Sequence, residues 1–133
     1  MKKSNIIINQ GSYAVEAIEL TKDDNTTPFN LTGFSAKSHV RLNFDSPTPL
    51  IELSTADGSI VLGAIVDENG DVTYGLPTNG GLLIKYDDSV TSAIKFKGPE
   101  LVCVRDVELT DGAGVTRRII SGSFTLTREV THD

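Results

Sequence analysis

The sequence contains little cysteine, no tryptophan and few positive charges. Its one cysteine in 133 residues cannot form an internal disulfide, which excludes a disulfide-rich scaffold. The 12 Lys and Arg residues are outnumbered by 18 Asp and Glu residues, giving a net charge of −6. Binding to nucleic acid depends on cations that neutralise phosphates. We therefore expect no nucleic-acid partner.

A long hydrophobic segment is also missing. The longest apolar run, 60–66, is interrupted by Gly63, whereas a membrane-spanning helix needs about 20 apolar residues. The apolar part of a signal peptide needs about 7–15 residues, and Ile6, Ile7 and Ile8 are too few. We expect no membrane partner and synthesis in the cytoplasm.

The remaining composition fits one domain over residues 1–133. The chain has the length of an ordinary domain, and 38% hydrophobic with 23% charged residues is typical of globular proteins. No linker divides it. Residues 1–10 form either an N-terminal arm or a first strand, and we expect residues 130–133 to be a frayed tail.

Alternation of apolar and polar residues predicts β-strands along the whole chain. Val40 and Leu42, for example, alternate with His39 and Arg41. Turn signals recur at intervals of about 8–12 residues, which is typical of sandwiches and barrels. The predicted strands are residues 5–9, 12–21, 36–44, 49–54, 59–65, 71–76, 81–86, 100–110, 115–121 and 122–129.

We therefore expect an all-β fold: a single-domain, antiparallel, Ig-like β-sandwich. The helical content is at most one short helix near residues 87–95, because that segment holds indifferent helix formers. Ser121–Gly122 is either a break between strands or a bulge within one long strand. A bulge is predicted near Arg105–Asp106, because the apolar residues switch there from even positions (Val102 and Val104) to odd positions (Val107 and Leu109).

No combination of residues predicts catalysis, a metal site or a cofactor. His39 and His132 are far apart, and Cys103 has no second cysteine to complete a zinc site. The segment 67–71 begins like a calcium loop, but Thr78 stands where the bidentate Glu belongs. We expect a hairpin tip there, and no enzymatic activity.

Two features are candidates for contacts with other proteins. Arg117 and Arg118 are adjacent cations that either form cross-strand ion pairs or meet an acidic partner surface. Ile6, Ile7 and Ile8 either form a first strand of the domain's own sheet, which we favour, or add a strand to the sheet edge of a neighbour. Arg41 is the cation for which we expect a cross-strand partner, in Asp106 or Glu108.

Several short segments together resemble a family of small structural proteins of tailed-bacteriophage virions. The resemblance covers roughly residues 9–131. Over this range the chain is similar to modules of the tail, baseplate and fibre attachment, and more distantly to the N-terminal domain of upper baseplate proteins. The segments that carry it are Asn9–Gly11, Asn30–Gly33, Val40–Arg41, Ile51–Ile60, Asp106–Leu109, Asp111–Gly112, Val115–Arg117, Gly122–Phe124 and Glu129–Thr131.

The resemblance implies a virion structural protein that mediates assembly or attachment in the tail, baseplate, collar or fibre junction. Its partners would be other virion proteins and further copies of itself in a symmetric assembly, and its location the virion. A capsid decoration protein and a carbohydrate- or receptor-binding module are the alternatives; the latter would use Tyr13, Tyr74 or Tyr86. In the quoted turns, we expect Leu31 and Ile60 to anchor loops in the core.

Overall fold

The computed structural model describes residues 2–22, 24 and 26–128. The turn residues Asp23 and Asn25, His132 and the predicted tail at 130–133 lie outside the described residues, as does the Glu129–Thr131 segment. Within the described residues the elements follow in the order β1 (Lys2–Lys3), β2 (Ile6–Asn9), β3 (Ala14–Glu19), β4 (Ser35–Arg41), β5 (Ile51–Ser54), β6 (Ile60–Leu62), β7 (Ala64–Val66), β8 (Val72–Tyr74), β9 (Gly81–Tyr86), α1 (Asp88–Ser92), β10 (Glu100–Thr110) and β11 (Thr116–Thr127).

The strands form two main sheets and a small hairpin. The larger sheet has the order β1-β11-β10-β4-β5, with β2 also paired to β11, and the smaller has the order β3-β9-β6. β7 and β8 form the hairpin. All pairs are antiparallel except those of β1 and β2, which run parallel to β11. The predicted all-β, predominantly antiparallel fold is confirmed, and the parallel N-terminal strands are an addition to it.

The core lies between the two sheets and draws side chains from both. Leu31 and Ile60, the predicted loop anchors, are 0% and 2% exposed, which confirms that expectation. The largest fully buried side chains besides these two are Tyr86, Phe124, Leu82, Leu83, Ile84, Ile120, Leu126, Val40 and Val107.

Several strand boundaries match the prediction and others are shorter for local reasons. The strands at 81–86 and 100–110 have the predicted bounds. The predicted strand 36–44 ends at Arg41, because the side chain of Asn43 accepts the Asp45 backbone N–H and turns the chain. The predicted strands 5–9, 12–21, 49–54 and 71–76 are trimmed by one to four residues, the Lys2–Lys3 strand was not predicted, and the helix covers 88–92 within the predicted 87–95.

Gly63 divides the predicted strand 59–65 into β6 and β7. Its φ of +91° belongs to the region that favours glycine. A Cβ at this position would lie 2.5 Å from the carbonyl oxygen of Gly75. The chain therefore leaves the smaller sheet at Gly63 and enters the β7–β8 hairpin.

The bulge predicted near Arg105–Asp106 is wrong in position, and Ser121–Gly122 is neither a break nor a bulge. β11 continues through Ser121–Gly122 as one strand, and the register shifts instead between Val107 and Glu108, where Ile119 of β11 is the extra residue. β10 alternates without interruption, with buried residues at 103, 105, 107 and 109. The apparent change of phase arises because Arg105 faces the core, while Val102 and Val104 face away from it.

Candidate interaction site

The isoleucine triplet lies in the domain's own sheet. Ile6, Ile7 and Ile8 form β2 and pair in parallel with Phe124–Leu126 of β11. Ile8 is 4% exposed and belongs to the core, whereas Ile7 is 70% exposed. This placement corresponds to the first-strand alternative, and it leaves Ile7 on the surface.

A buried ion pair joins the two sheets beneath this N-terminal segment. The Arg105 guanidinium in β10 donates to both carboxylate oxygens of Glu16 in β3, at 2.5 and 2.7 Å. Tyr86 in β9 donates its hydroxyl proton to Glu16 at 3.1 Å. The carbonyl oxygen of Ser4 accepts from Nε of Arg105 at 3.1 Å and from Nη2, which also binds Glu16, at 3.0 Å. A two-pronged arginine–carboxylate contact is among the strongest hydrogen-bonded pairs in proteins.

The Ser4 carbonyl explains why the N-terminal segment is two strands instead of one. Because this carbonyl turns inward to Arg105, the side chain of Asn5 accepts the Ser123 backbone N–H in its place, at 2.9 Å. The close approach requires glycine on the neighbouring strand, since a Cβ at Gly122 would lie 2.1 Å from the Ser4 oxygen.

The network also fixes the protonation of its members. Burial works against the charge of Arg105, but the Glu16 carboxylate outweighs it and the pKa of Arg105 is raised. Burial, together with the negative charge of Glu16, raises the pKa of Tyr86 far above its usual range. Tyr86 therefore keeps the proton that it donates. These groups are arranged to hold the sheets together.

An open groove lies at the N-terminal end of β11, which β1 and β2 do not reach. One wall comes from the loop that precedes β4. Phe29 donates its backbone N–H to Leu20 at 2.9 Å, and Leu31 donates to Pro77 at 3.0 Å. Gly33 then turns the chain with a φ of +82°. The loop places the rings of Phe29 and Phe34 edge to face, 5.7 Å apart.

The other wall comes from the hairpin between β10 and β11. The Asp111 carboxylate accepts the backbone N–H groups of Ala113 and Val115, at 2.9 and 3.0 Å. This turn directs Val115, Arg117 and Ile119 toward the loop across the groove. The groove has a volume of about 600 Å³ and is lined by Leu20, Thr21, Phe29, Phe34, Leu109, Asp111, Val115, Arg117, Arg118 and Ile119.

One edge of β11 is open at this groove. β1 begins opposite Ile120, and β2 continues as far as Thr127. Within the described part of the chain, no strand pairs with Thr116–Ile119 on the side away from β10. An open strand edge presents backbone N–H and C=O groups that another chain can bind.

The two candidate arginines lie on this open segment. Arg117 is exposed, and Arg118 forms a cross-strand contact with Asp106, 3.5 Å from Nε to Oδ2. The partner predicted for Arg41 is wrong, because the Arg41 guanidinium donates to the Ser46 carbonyl at 3.0 Å. Arg118 takes the expected place beside Asp106.

The remaining candidate residues have contacts that fit a structural role. Asp67 accepts the backbone N–H groups of Asn69 and Asp71, as a hairpin tip does. Burial raises the pKa of the Cys103 thiol, which disfavours a reactive thiolate. Among the described residues, no three His, Cys, Asp or Glu side chains meet in a way that could hold a metal ion.

The three tyrosines are not brought together. Tyr86 is fully buried in the network, whereas Tyr13, in the loop before β3, is 61% exposed and Tyr74, in β8, is 65% exposed. Over the described ranges, no helix has the length and hydrophobicity needed to cross a bilayer.

Comparison with known proteins gives only distant likeness. No protein-family model matches the chain, and no curated protein matches it. A solved structure with some similarity is AggA, the major subunit of aggregative adherence fimbriae type I from Escherichia coli. Its TM-score is 0.33 and its identity 9%, over 97% of this chain and 91% of that chain. A likeness at this level does not assign a family.

The predicted bacteriophage function is corrected by this comparison. Nothing in it points to a phage tail protein, and the similar structure is a bacterial fimbrial subunit. Asn30–Gly33, one of the turn segments that carried the resemblance, has a structural role in the fold. Leu31 is a core anchor and Gly33 a turn residue with positive φ. Such roles recur in unrelated β proteins, and a fold does not specify a function.

Proposed function

We propose that this chain is a non-catalytic assembly domain that binds a segment of a partner polypeptide in the groove. The bound segment adds a strand to the open edge at Thr116–Ile119, and its alternate side chains enter the groove between Phe29, Phe34 and Ile119. Its function is to hold a protein partner, and no step in it requires a reacting group.

The observation that supports the proposal is the juxtaposition of an open strand edge with an apolar groove. Strand addition gains affinity from main-chain hydrogen bonds and specificity from pockets that take alternate side chains. Thr116–Ile119 offers the main-chain hydrogen bonds, since no described strand covers that edge. The groove supplies the pocket for side chains, and it is lined by Leu20, Phe29 and Phe34.

The charges at the groove indicate the chemistry of the partner segment. Arg117 is exposed at the groove, and Arg118 keeps half of its side chain exposed beside Asp106. Guanidinium groups favour carboxylates. The fitting segment is therefore extended, with apolar side chains on one face and Asp or Glu on the other. Ile119, as a bulge residue, twists the edge and so disfavours indiscriminate pairing.

Selection from a random peptide library against the immobilised protein tests this proposal. We expect the selected peptides to be rich in β-branched and acidic residues. Arg117→Glu should weaken their binding by about tenfold or more, since it exchanges attraction for repulsion. Lys95→Glu is the matched control, because Lys95 is exposed and lies outside the groove; its affinity should stay within about twofold.

Two outcomes would overturn the proposal. One is a selection that yields no peptide specific for the protein. The other is a set of peptides whose affinity falls equally with Arg117→Glu and Lys95→Glu, since equal losses would reflect overall charge instead of the groove.

A further inference from the structure

The larger sheet has an outer face, turned away from the smaller sheet, that carries an apolar patch. Ile7, Thr125 and Val102 lie side by side on β2, β11 and β10. Ile7 is 70% and Val102 54% exposed. Val104 is next along β10 on the same face, and Phe44, 79% exposed, joins it in lining a shallow depression.

Such a patch is unusual on the outer side of a sheet. The solvated face of an antiparallel sheet ordinarily carries polar residues. Here the burial pattern of β10 places Val102 and Val104 outward and Arg105 inward. Because Arg105 faces inward to Glu16, the two valines that precede it at alternate positions, Val102 and Val104, face the surface. Contiguous exposed apolar side chains mark interaction sites.

The charges on the outer face sum to zero, although the chain as a whole carries a net negative charge. The outer face carries four cations and four carboxylates on the described strands: Lys3, Lys37, Arg41 and Arg118, and Glu52, Glu100, Asp106 and Glu108. The chain has a net charge of −6, so the excess negative charge lies elsewhere. The outer face is a surface on which two copies can meet without net repulsion.

We infer that a second copy of this chain packs on the outer face, with the patches around Val102 in contact across a two-fold axis. A two-fold interface brings the same surface of both copies together, so that surface must be complementary to itself. Cations and carboxylates alternate across the strands, with Lys37 beside Glu108 and Arg118 beside Asp106. Such an arrangement offers each charge an opposite one on the partner. Arg118 borders both surfaces, but Ile7, Val102 and Val104 do not line the groove, so the inference stands independently of the proposed function.

Analytical ultracentrifugation of the intact chain tests the inference. We expect a monomer–dimer equilibrium in which Val102→Glu raises the dissociation constant by about tenfold or more, because it buries a charge against its own copy. Leu76→Glu is the matched control, since Leu76 is 73% exposed outside this face, and we expect a change within about twofold. Both variants should unfold at the same urea concentration as the wild-type chain.

Cross-linking gives a second readout that does not depend on weakening the interface. Cys103 is buried, so a single added surface cysteine dominates the reaction with a short bismaleimide. Val102→Cys should give a covalent dimer, and Leu76→Cys should give little. A wild-type chain that stays monomeric at high concentration would overturn the inference. Equal effects of Val102→Glu and Leu76→Glu, or equal cross-linking at both positions, would do the same. Arg117→Glu should leave the dimer unchanged, which separates this test from that of the groove.

Discussion

The two halves of β11 differ in what lies along their outer edge. Ile120–Thr127 is covered by β1 and β2, and Ile120, Phe124 and Leu126 are fully buried. Thr116–Ile119 pairs with β10 on one side, has no described strand on its outer edge, and borders the open groove. One strand is thus an interior element along most of its length and an edge at its beginning.

The difference shows what closes a sheet edge in this protein. In the covered half, the Arg105 side chain fixes the N-terminal backbone, because it donates to the Ser4 carbonyl and is itself held in place by Glu16. The open half has two arginines and a bulge instead. Charged residues and bulges protect edges from indiscriminate pairing, so the open half is suited to a selected partner. The predictions below test this contrast, beginning with the largest effect.

Removing the buried guanidinium should damage the covered half most. Arg105→Ala leaves Glu16 without its cation in a buried site, and breaking such a pair costs about 3–5 kcal/mol of unfolding free energy. Arg118→Ala, at the exposed pair with Asp106, should cost less than about 1 kcal/mol. Urea unfolding of the two variants measures both values. Similar losses for the two arginines would contradict the contrast.

The N-terminal strand should contribute through one isoleucine and not through its neighbour. Ile8→Ala removes a buried side chain and should lower the free energy of unfolding by about 2–5 kcal/mol. Ile7→Ala, at a 70% exposed position, should stay within about 0.5 kcal/mol of wild type. Thermal or urea unfolding compares the two. An Ile8→Ala variant as stable as Ile7→Ala would show that β2 is not an integral part of the sheet.

The close contact between Ser4 and β11 should require glycine at position 122. Gly122→Ala places a methyl group 2.1 Å from the Ser4 oxygen, and relieving that overlap should cost about 1–3 kcal/mol. Gly112→Ala is the control, because its nearest neighbour would be 3.9 Å away. NMR spectra of the Gly122→Ala variant should show shifts for Ser4 and Asn5. Unchanged stability together with unchanged spectra would refute the role assigned to Gly122.

Acidification should loosen the loop that carries one wall of the open half. The Thr27 hydroxyl and the backbone N–H groups of Thr27 and Thr26 lower the pKa of Asp24 to about 2 from its ordinary 3.8. A carboxylate with a lowered pKa stabilises the folded loop above its unfolded pKa, and this contribution is lost as the pH falls through the folded value. The Thr27 amide shift should therefore change with a midpoint near 2. A midpoint near 3.8 would contradict these hydrogen bonds.

The fold could be predicted largely because its signals are local. Gly81–Tyr86 and Glu100–Thr110 have the predicted bounds, since turn residues mark their ends. The phase of β10 could not be predicted, because burial of Arg105 depends on Glu16, 89 positions away. The sequence favours valine for the core and arginine for the surface, and that expectation fails when a charge has a buried partner.

The candidate site was predictable only in part. Arg117 and Arg118 are recognisable as an exposed pair of cations, and the structure places both at the groove. The groove itself also needs Phe29 and Phe34, which lie more than 80 positions before them in the chain. Nothing in the local pattern indicates that this loop faces the hairpin. The open edge depends on where β1 begins its pairing, which is a tertiary feature.

Amide hydrogen exchange along β11, with and without a peptide selected against the groove, tests the central claim most directly. In the free protein we expect slow exchange over Ile120–Thr127 and faster exchange at the outward-facing amides of Thr116–Ile119. A bound peptide should slow exchange in Thr116–Ile119 and leave the covered half unchanged. Protection of other strands by the bound peptide, with Thr116–Ile119 still exchanging as in the free chain, would contradict strand addition at this edge.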